Sequence, residues 1–272
     1  MNRLDLLAVG VVAPGLPTWE DLRGVLTGVR PYLQAPIPGL SPAGLPPNER
    51  RRATLGTRIT LAAGTQALAG LDLDPSILTT VVTASESDLH IIDTLCTDIF
   101  SRRTPVSPTL FHNSVHNAVA GYWSIAQACL QPTTSISAWD GSLAAGLLEC
   151  VAQLAYPGAA KPVLLLALDL PGPATIDPHR HLEGPFACAL VLAPHPWGGG
   201  RSLHPGVSLR VSLAGHDPED RLPQGVDMAI ETLRAHNPAA RVLPLLWRIA
   251  TGEPGPVRLP YLEDLDLIVH LE

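Results

Sequence analysis

Two kinds of apolar pattern alternate along the chain. Short unbroken apolar runs are followed by longer segments whose apolar residues recur every three to four positions. Leu4 to Val12 (LDLLAVGVV) is such a run, closed by Pro14 and Gly15, and predicts a strand. Thr18 then precedes Trp19-Glu20-Asp21, an N-cap followed by acidic first-turn residues, which predicts a short helix to about Val29. Pro47-Asn48-Glu49-Arg50 opens a second helix, and Leu55, Ile59, Ala62, Ala63 and Ala67 keep helical spacing as far as Gly70. Ile77 to Thr83 is β-branched and predicts a strand, and Asp88 to Phe100 a helix.

The middle of the chain is less charged. His112 to Cys129 predicts one long, almost uncharged helix, and Thr133 to Ala138 (TTSISA) a strand. Ser142 to Ala155 has apolar residues on every side and only Glu149 charged, so it predicts a helix buried all round. Val163 to Leu170 and Ala187 to Leu192 are continuous apolar runs, the pattern of strands covered on both faces. This alternation predicts an α/β protein with a central sheet. After Pro196 the character changes. Gly198-Gly199-Gly200 is a flexible break, followed by a strand (Val207 to Leu213), a helix (Val226 to Ala235) and weak apolar runs near Leu243 to Ile249 and Leu265 to Leu271. A boundary is placed there, giving regions 1–197 and 198–272, the second of uncertain fold and packed on the first.

Composition narrows the class. Of 272 residues, 46% are hydrophobic and 16% charged, enough apolar material for a sizeable core and too much for wholesale disorder. Residues 31 to 47 are proline-rich and read as an irregular surface loop. The formal net charge is −7, and no basic block is present, which argues against nucleic acid as a partner. Lys161 is the single lysine; the other basic residues are arginines. Met1 to Gly15 does not read as a signal peptide. Thr104 to Trp139 holds no Asp, Glu, Lys or Arg, yet prolines, His112, Asn113, His116, Asn117 and glutamines interrupt it too often for a membrane span. Its low charge predicts burial, in a core or under a partner. Cys96, Cys129, Cys150 and Cys188 show no CxxC spacing, which favours small core residues in a reducing cytoplasm over disulfides or zinc.

Three places could carry chemistry. His112 and His116 would sit four apart on one helix and could meet one metal, although the glutamate of an HExxH motif is missing and no third ligand stands out. The simpler reading is polar pairing within a buried helix start. Asp177-Pro178-His179-Arg180-His181 is a proline-flanked segment whose default reading is a surface loop. The third is the strand–turn–helix from Thr133 to Ser142. A strand that turns sharply into a buried helix presents one residue at the helix N-terminus, where the macrodipole activates a nucleophilic cysteine or serine. Trp139 holds that place, and indole cannot accept an acyl group. The alternative is that Trp139 is simply a core aromatic.

The stretches SPTLFHNSVHNAVAGYWSIA (Ser107 to Ala126) and SISAWDGSLAAGLLEC (Ser135 to Cys150) resemble the beta-ketoacyl synthase-like N-terminal domain family of the thiolase superfamily. Leu45 to Ala62 and Leu182 to Ala187 support it, and the resemblance spans roughly residues 4 to 194. It implies a thiolase-like layered fold, with one complete N-terminal half and a reduced C-terminal part. It also implies that an acyl-accepting cysteine would stand where Trp139 stands. The catalytic histidines and lysine of a ketosynthase come from the second half, whose motifs are missing here, and Lys161 lies in the first half. The resemblance extends to the chain-length-factor-like subunits of bacterial aryl polyene clusters.

These lack the nucleophile and pair with an active ketosynthase that elongates a chain on an acyl carrier protein. The resemblance therefore implies a cytoplasmic, non-catalytic subunit without cofactor or metal. Phe111, His112, His116, Asn117, Ser135, Ser137, Trp139 and Asp140 would line the acyl tunnel or the heterodimer interface. In thiolases the strand before the elbow pairs across the dimer, which here is Thr133 to Ala138. The rival is a stand-alone degenerate acyltransferase or thioesterase using Ser142 or Cys150 with His116. A metal-binding protein through His112 and His116 is a weaker third.

Overall fold

The computed structural model describes residues 3–86, 88–101, 105–156, 158, 161–217 and 221–272. Eight strands form one sheet: β1 (Arg3–Val12), β2 (Thr79–Thr83), β3 (Thr133–Ile136), β4 (Val163–Asp169), β5 (Phe186–Pro194), β6 (Ser208–Gly215), β7 (Gly255–Leu262) and β8 (Leu265–Leu271). Their spatial order is β3-β2-β4-β5-β1-β6-β8-β7. β2 runs parallel to both β3 and β4, and the remaining pairs are antiparallel.

The continuous apolar runs are explained by two cores. In β4, Val163, Leu165 and Ala167 enter one core while Leu164, Leu166 and Leu168 enter the other. β5 divides in the same way, Cys188 and Leu190 against Ala189 and Val191. Strands whose alternate residues meet two helix layers have no polar face to show. One layer holds α1 (Trp19–Leu26), α7 (Ser142–Ala155), α8 (Met228–His236) and α9 (Leu243–Thr251). The opposite layer holds α3 (Leu55–Leu68) and α6 (Ala118–Ala126). Among the described residues the other α-helices are α2 (Pro47–Arg52), α4 (Leu89–Ser101) and α5 (Pro108–Asn113). The result is the thiolase-like layered α/β fold, a full N-terminal half with a reduced C-terminal part. That part extends the sheet through β6, β8 and β7, and its helices cover only the face of the first core.

Most predicted elements are present, with four differences. The segment opening at Pro47 is two helices, because Ala53 and Thr54 are extended and Thr54 Oγ1 accepts from Thr57 N at 3.3 Å to start α3. The long helix over 112–129 is also two, α5 and α6. Asn113, the last residue of α5, donates to Arg52 O at 3.0 Å and accepts from Tyr122 Oη at 3.0 Å, while Ser114 Oγ donates back to Phe111 O at 2.8 Å. Such side-chain bonds compete with the helix ladder. α7 is well buried over its first half, but Ala152 and Ala155 at its far end are exposed, so it is not buried all round. β7 has no counterpart among the predicted strands. It carries Pro256 and Pro260 and forms an edge of the sheet, where a missing N–H breaks no internal ladder.

The uncharged stretch before the elbow is covered only in part by this chain, which buries Ala120, Tyr122, Trp123 and Cys129. Phe111, Val115, Ile125 and Leu130 are exposed, Leu130 almost completely at 96%. Among the described residues no helix is long and apolar enough to cross a membrane.

Candidate functional site

The site is the turn from β3 into α7. Trp139 sits at its apex with φ of +51°, a left-handed conformation uncommon for a bulky residue. Three contacts hold it. Gly141 N donates to Ala138 O at 2.9 Å, and Ser142 Oγ donates to Trp139 O at 2.6 Å while accepting from Ala138 N at 2.9 Å. Gly141 then lies against β7: a Cβ there would come within 2.1 Å of Tyr261 O. The helix N-terminus behind this turn favours negative charge. The side chain placed there is an indole, 60% exposed, so Trp139 is not a core aromatic.

A charged cluster surrounds the indole. The Arg180 guanidinium lies over the Trp139 ring, 3.7 Å from its centroid. Arg180 pairs with Glu86 and, at 2.8 Å, with Asp140 Oδ1. Arg241 donates to Asp140 Oδ2 and to Asp140 O, both at 2.9 Å. Burial alone would raise the Asp140 carboxyl, but Arg241 and Arg180 together hold it below its ordinary value. Arg180 comes from the segment 177–181, which the residue pattern alone assigns to a surface loop. Its side chain is only 12% exposed.

Behind the elbow is a second polar group. Ser137 Oγ donates to Ser85 O at 2.7 Å. Ser85 donates through its N and Oγ to Asp169 Oδ1, at 2.8 and 2.6 Å, and Ala239 N donates to Asp169 Oδ2 at 2.9 Å. Burial pushes the Asp169 carboxyl up to about 7 against the pull of those donors. Asn237 Nδ2 donates to Gly184 O at 2.9 Å beside it. The end of β4, the loop after β2 and the segment before α9 are thus locked together under the turn.

A cleft opens next to this cluster. Its apolar wall includes Val82, Val119, Leu168 and Leu182, and its polar wall Thr57, Glu86 and His116. Glu86 Oε2 and His116 Nε2 are buried there without a hydrogen-bond partner among the described residues.

The structure brings Ser137, Trp139 and Asp140 together and places Ser135 on the strand leading to them. Phe111 and His112 are exposed on α5, with His112 edge-on to Tyr122 at 6.1 Å, and Asn117 is exposed just before α6. His112 is on α5 and His116 lies in the break before α6, so they do not stand four apart on one helix. Among the described residues no group of three or more His, Cys, Asp or Glu is placed to hold a metal. Ser142 is buried with its hydroxyl engaged in the turn, and Cys150 is fully buried in α7 with its thiol pushed up by burial. Glu86, Arg180 and Arg241 join the site without a motif to mark them. The two histidines flanking Arg180 draw notice to its loop, but nothing in the residue pattern ties that loop to Trp139.

The model of the family described as beta-ketoacyl synthase, N-terminal domain, matches residues 31–238. The chain belongs to that family. This ketosynthase-family chain is similar in fold to a chain of the structure of a ketosynthase (ApeO) in complex with its chain length factor (ApeC) from Xenorhabdus doucetiae. The TM-score is 0.70 at 19% identity, covering 98% of this chain and 99% of that one. The ishigamide ketosynthase/chain length factor gives a TM-score of 0.73 at 14% identity, over 100% and 99%. AntDE:AntF, a type II polyketide synthase acyl-carrier protein in complex with its ketosynthase bound to the hexaketide, gives 0.70 at 11% identity, over 100% and 99%. No curated protein matches this ketosynthase-family chain.

Proposed function

We propose that this chain is a non-catalytic, chain-length-factor-type subunit. It pairs with an active beta-ketoacyl synthase in type II fatty-acid or polyketide-like biosynthesis of the aryl polyene kind, and it shapes the acyl tunnel. The observation that carries the reading is Trp139 at the apex of the elbow, where a condensing enzyme would need its acyl-accepting cysteine. Indole has no lone pair free to attack a thioester. The chain-length-factor complexes among the similar folds support the reading.

The partner docks along β3. This strand is an edge of the sheet, with β2 on one side and, among the described residues, no strand on the other. Beside it lie the exposed Ile125, on α6, which contacts β3, and Leu130, on the segment that leads into the strand, an apolar area that a partner would cover. The acyl carrier protein delivers the growing chain through the complex, in the cytoplasm. The cleft beside Glu86 and His116 belongs to the tunnel lining. A stand-alone acyltransferase or thioesterase is disfavoured, because Ser142 and Cys150 are both buried and neither offers an activated nucleophile.

The test is co-expression with a cluster ketosynthase and acyl carrier protein. Co-purification as a heterodimer is expected, with condensation only when both subunits are present. Trp139→Ala is expected to change product length without abolishing condensation. Acyl release by the chain alone, lost in Ser142→Ala, would overturn the reading, as would failure to form the complex.

A further inference from the structure

An indole on an exposed turn has no packing to choose its rotamer, yet Trp139 has a specific seat. We propose that Arg180 is the positioning residue that fixes the Trp139 indole, and through it the acyl length the complex accepts. The length step rests on the chain-length-factor reading above; the positioning step does not.

Each group in the cluster is held by the next. Trp139 is 60% exposed, and Arg180 stacks 3.7 Å from its ring centroid. Arg180 itself is largely buried and cannot follow the ring. Its guanidinium is fixed on one edge by Glu86 and on another by Asp140 Oδ1 at 2.8 Å. Asp140 is fixed in turn by two bonds from Arg241, to Oδ2 and to its backbone carbonyl, each 2.9 Å. Order therefore passes from Arg241 to Asp140, to Arg180, to the indole. With one ring face under the guanidinium, the other is left to meet whatever approaches the elbow. A planar group that stacks and binds carboxylates along two edges at once is a property of arginine, which an ammonium cannot reproduce. Glu86 adds a second link, because it lines the neighbouring cleft and its Oε2 is buried without a hydrogen-bond partner among the described residues. Loss of the Arg180 pair would leave that carboxylate without its cation at the cleft wall.

The experiment uses the chain labelled with fluorotryptophan, in complex with its ketosynthase, and Arg180→Lys. The Trp139 fluorine resonance is assigned by its loss in Trp139→Phe. Arg180→Lys is expected to shift and broaden that resonance and leave the other tryptophan signals in place. The share of the main-length product is expected to fall about two- to fivefold, the scale of an exposed cation–π contact, with complex yield unchanged. Arg180→Gln repeats the measurement should the lysine variant fold poorly. An unchanged Trp139 resonance overturns the positioning role whatever the chain does in the cell. A shifted resonance with wild-type product lengths, where Trp139→Ala does change them, overturns the link from Arg180 to length. No complex with the wild-type chain overturns the functional reading and leaves the resonance test standing.

Discussion

Arg180 and Trp139 lie on different loops, and the guanidinium of one covers the indole of the other at 3.7 Å. The contact stabilises a side chain on a backbone that disfavours it. Trp139 has φ of +51°, and a left-handed conformation costs an L-residue roughly 1–2 kcal/mol that glycine avoids. Two truncations separate these effects. Trp139→Ala and Trp139→Gly both lose the stack, but only glycine relieves the backbone. The glycine variant is expected to be more stable by about 1 kcal/mol, the reverse of the usual order. Chemical denaturation of both variants measures it, and equal stabilities would mean that the turn is not strained.

β3 offers a sharper test of the interface than any bulky surface substitution. Thr80 N and Ala84 N donate to Pro132 O and Ile136 O, so those carbonyls face β2. With the two-residue alternation of a strand, Ser135 N–H faces the open edge. Ser135→Pro removes that donor and no bond to β2. Association with the ketosynthase is expected to weaken at least about tenfold, which corresponds to about 1.4 kcal/mol. The thermal midpoint of the chain alone should change little. Analytical ultracentrifugation of the co-expressed pair reads the first effect and differential scanning fluorimetry the second. Undiminished association would place the interface elsewhere.

An element is legible in the residue pattern when its order is local. β4 and β5 are legible because Leu164 and Leu165, or Ala189 and Leu190, point to opposite cores and leave no polar position. The elbow is legible because a β-branched run meets an apolar helix at Trp139. The break between α5 and α6 is not, since Asn113 at the end of α5 is tied to Arg52 O, 61 residues away, as well as to Tyr122 of the next helix. β7 is hidden by its prolines, which an edge strand tolerates. Arg180 is invisible as a site residue because its partners Glu86, Trp139 and Asp140 are distant in the chain. Local pattern reports burial and periodicity; it carries no record of which distant carboxylate will meet which arginine.

Gly141 links the elbow to the C-terminal hairpin. An added Cβ would stand 2.1 Å from Tyr261 O and 2.9 Å from Tyr261 C, which is backbone and cannot swing aside. Gly141→Ala is expected to destabilise the chain by about 1–3 kcal/mol, the usual cost of overpacking a tight contact. The loss should be local. Amide exchange in β7 is expected to speed up more than in β4, as the hairpin lifts away from the turn. Uniform acceleration would show that the contact is not specific to this seam.

Asp169 gives the fold a pH dependence of defined sign. Burial raises its carboxyl to about 7, whereas in the unfolded chain it titrates near 3.8. A carboxyl with a raised folded-state value binds its proton more tightly when folded. Between about pH 4 and pH 7 the unfolded chain therefore holds fewer protons at this group, and stability falls as pH rises. The whole penalty is present above the folded-state value and vanishes below the unfolded one. Asp169→Asn cannot ionise, so it removes this contribution to the slope. It also turns an amide N–H toward one of the donors, Ser85 or Ala239, which should cost about 1–3 kcal/mol at acidic pH. Urea denaturation at about pH 5 and about pH 8 gives the comparison. The wild type is expected to lose more stability between the two than Asp169→Asn does, so the variant's deficit narrows at the higher pH. Parallel losses in the two proteins would show that Asp169 is ionised throughout, held as a carboxylate by Ser85 and Ala239.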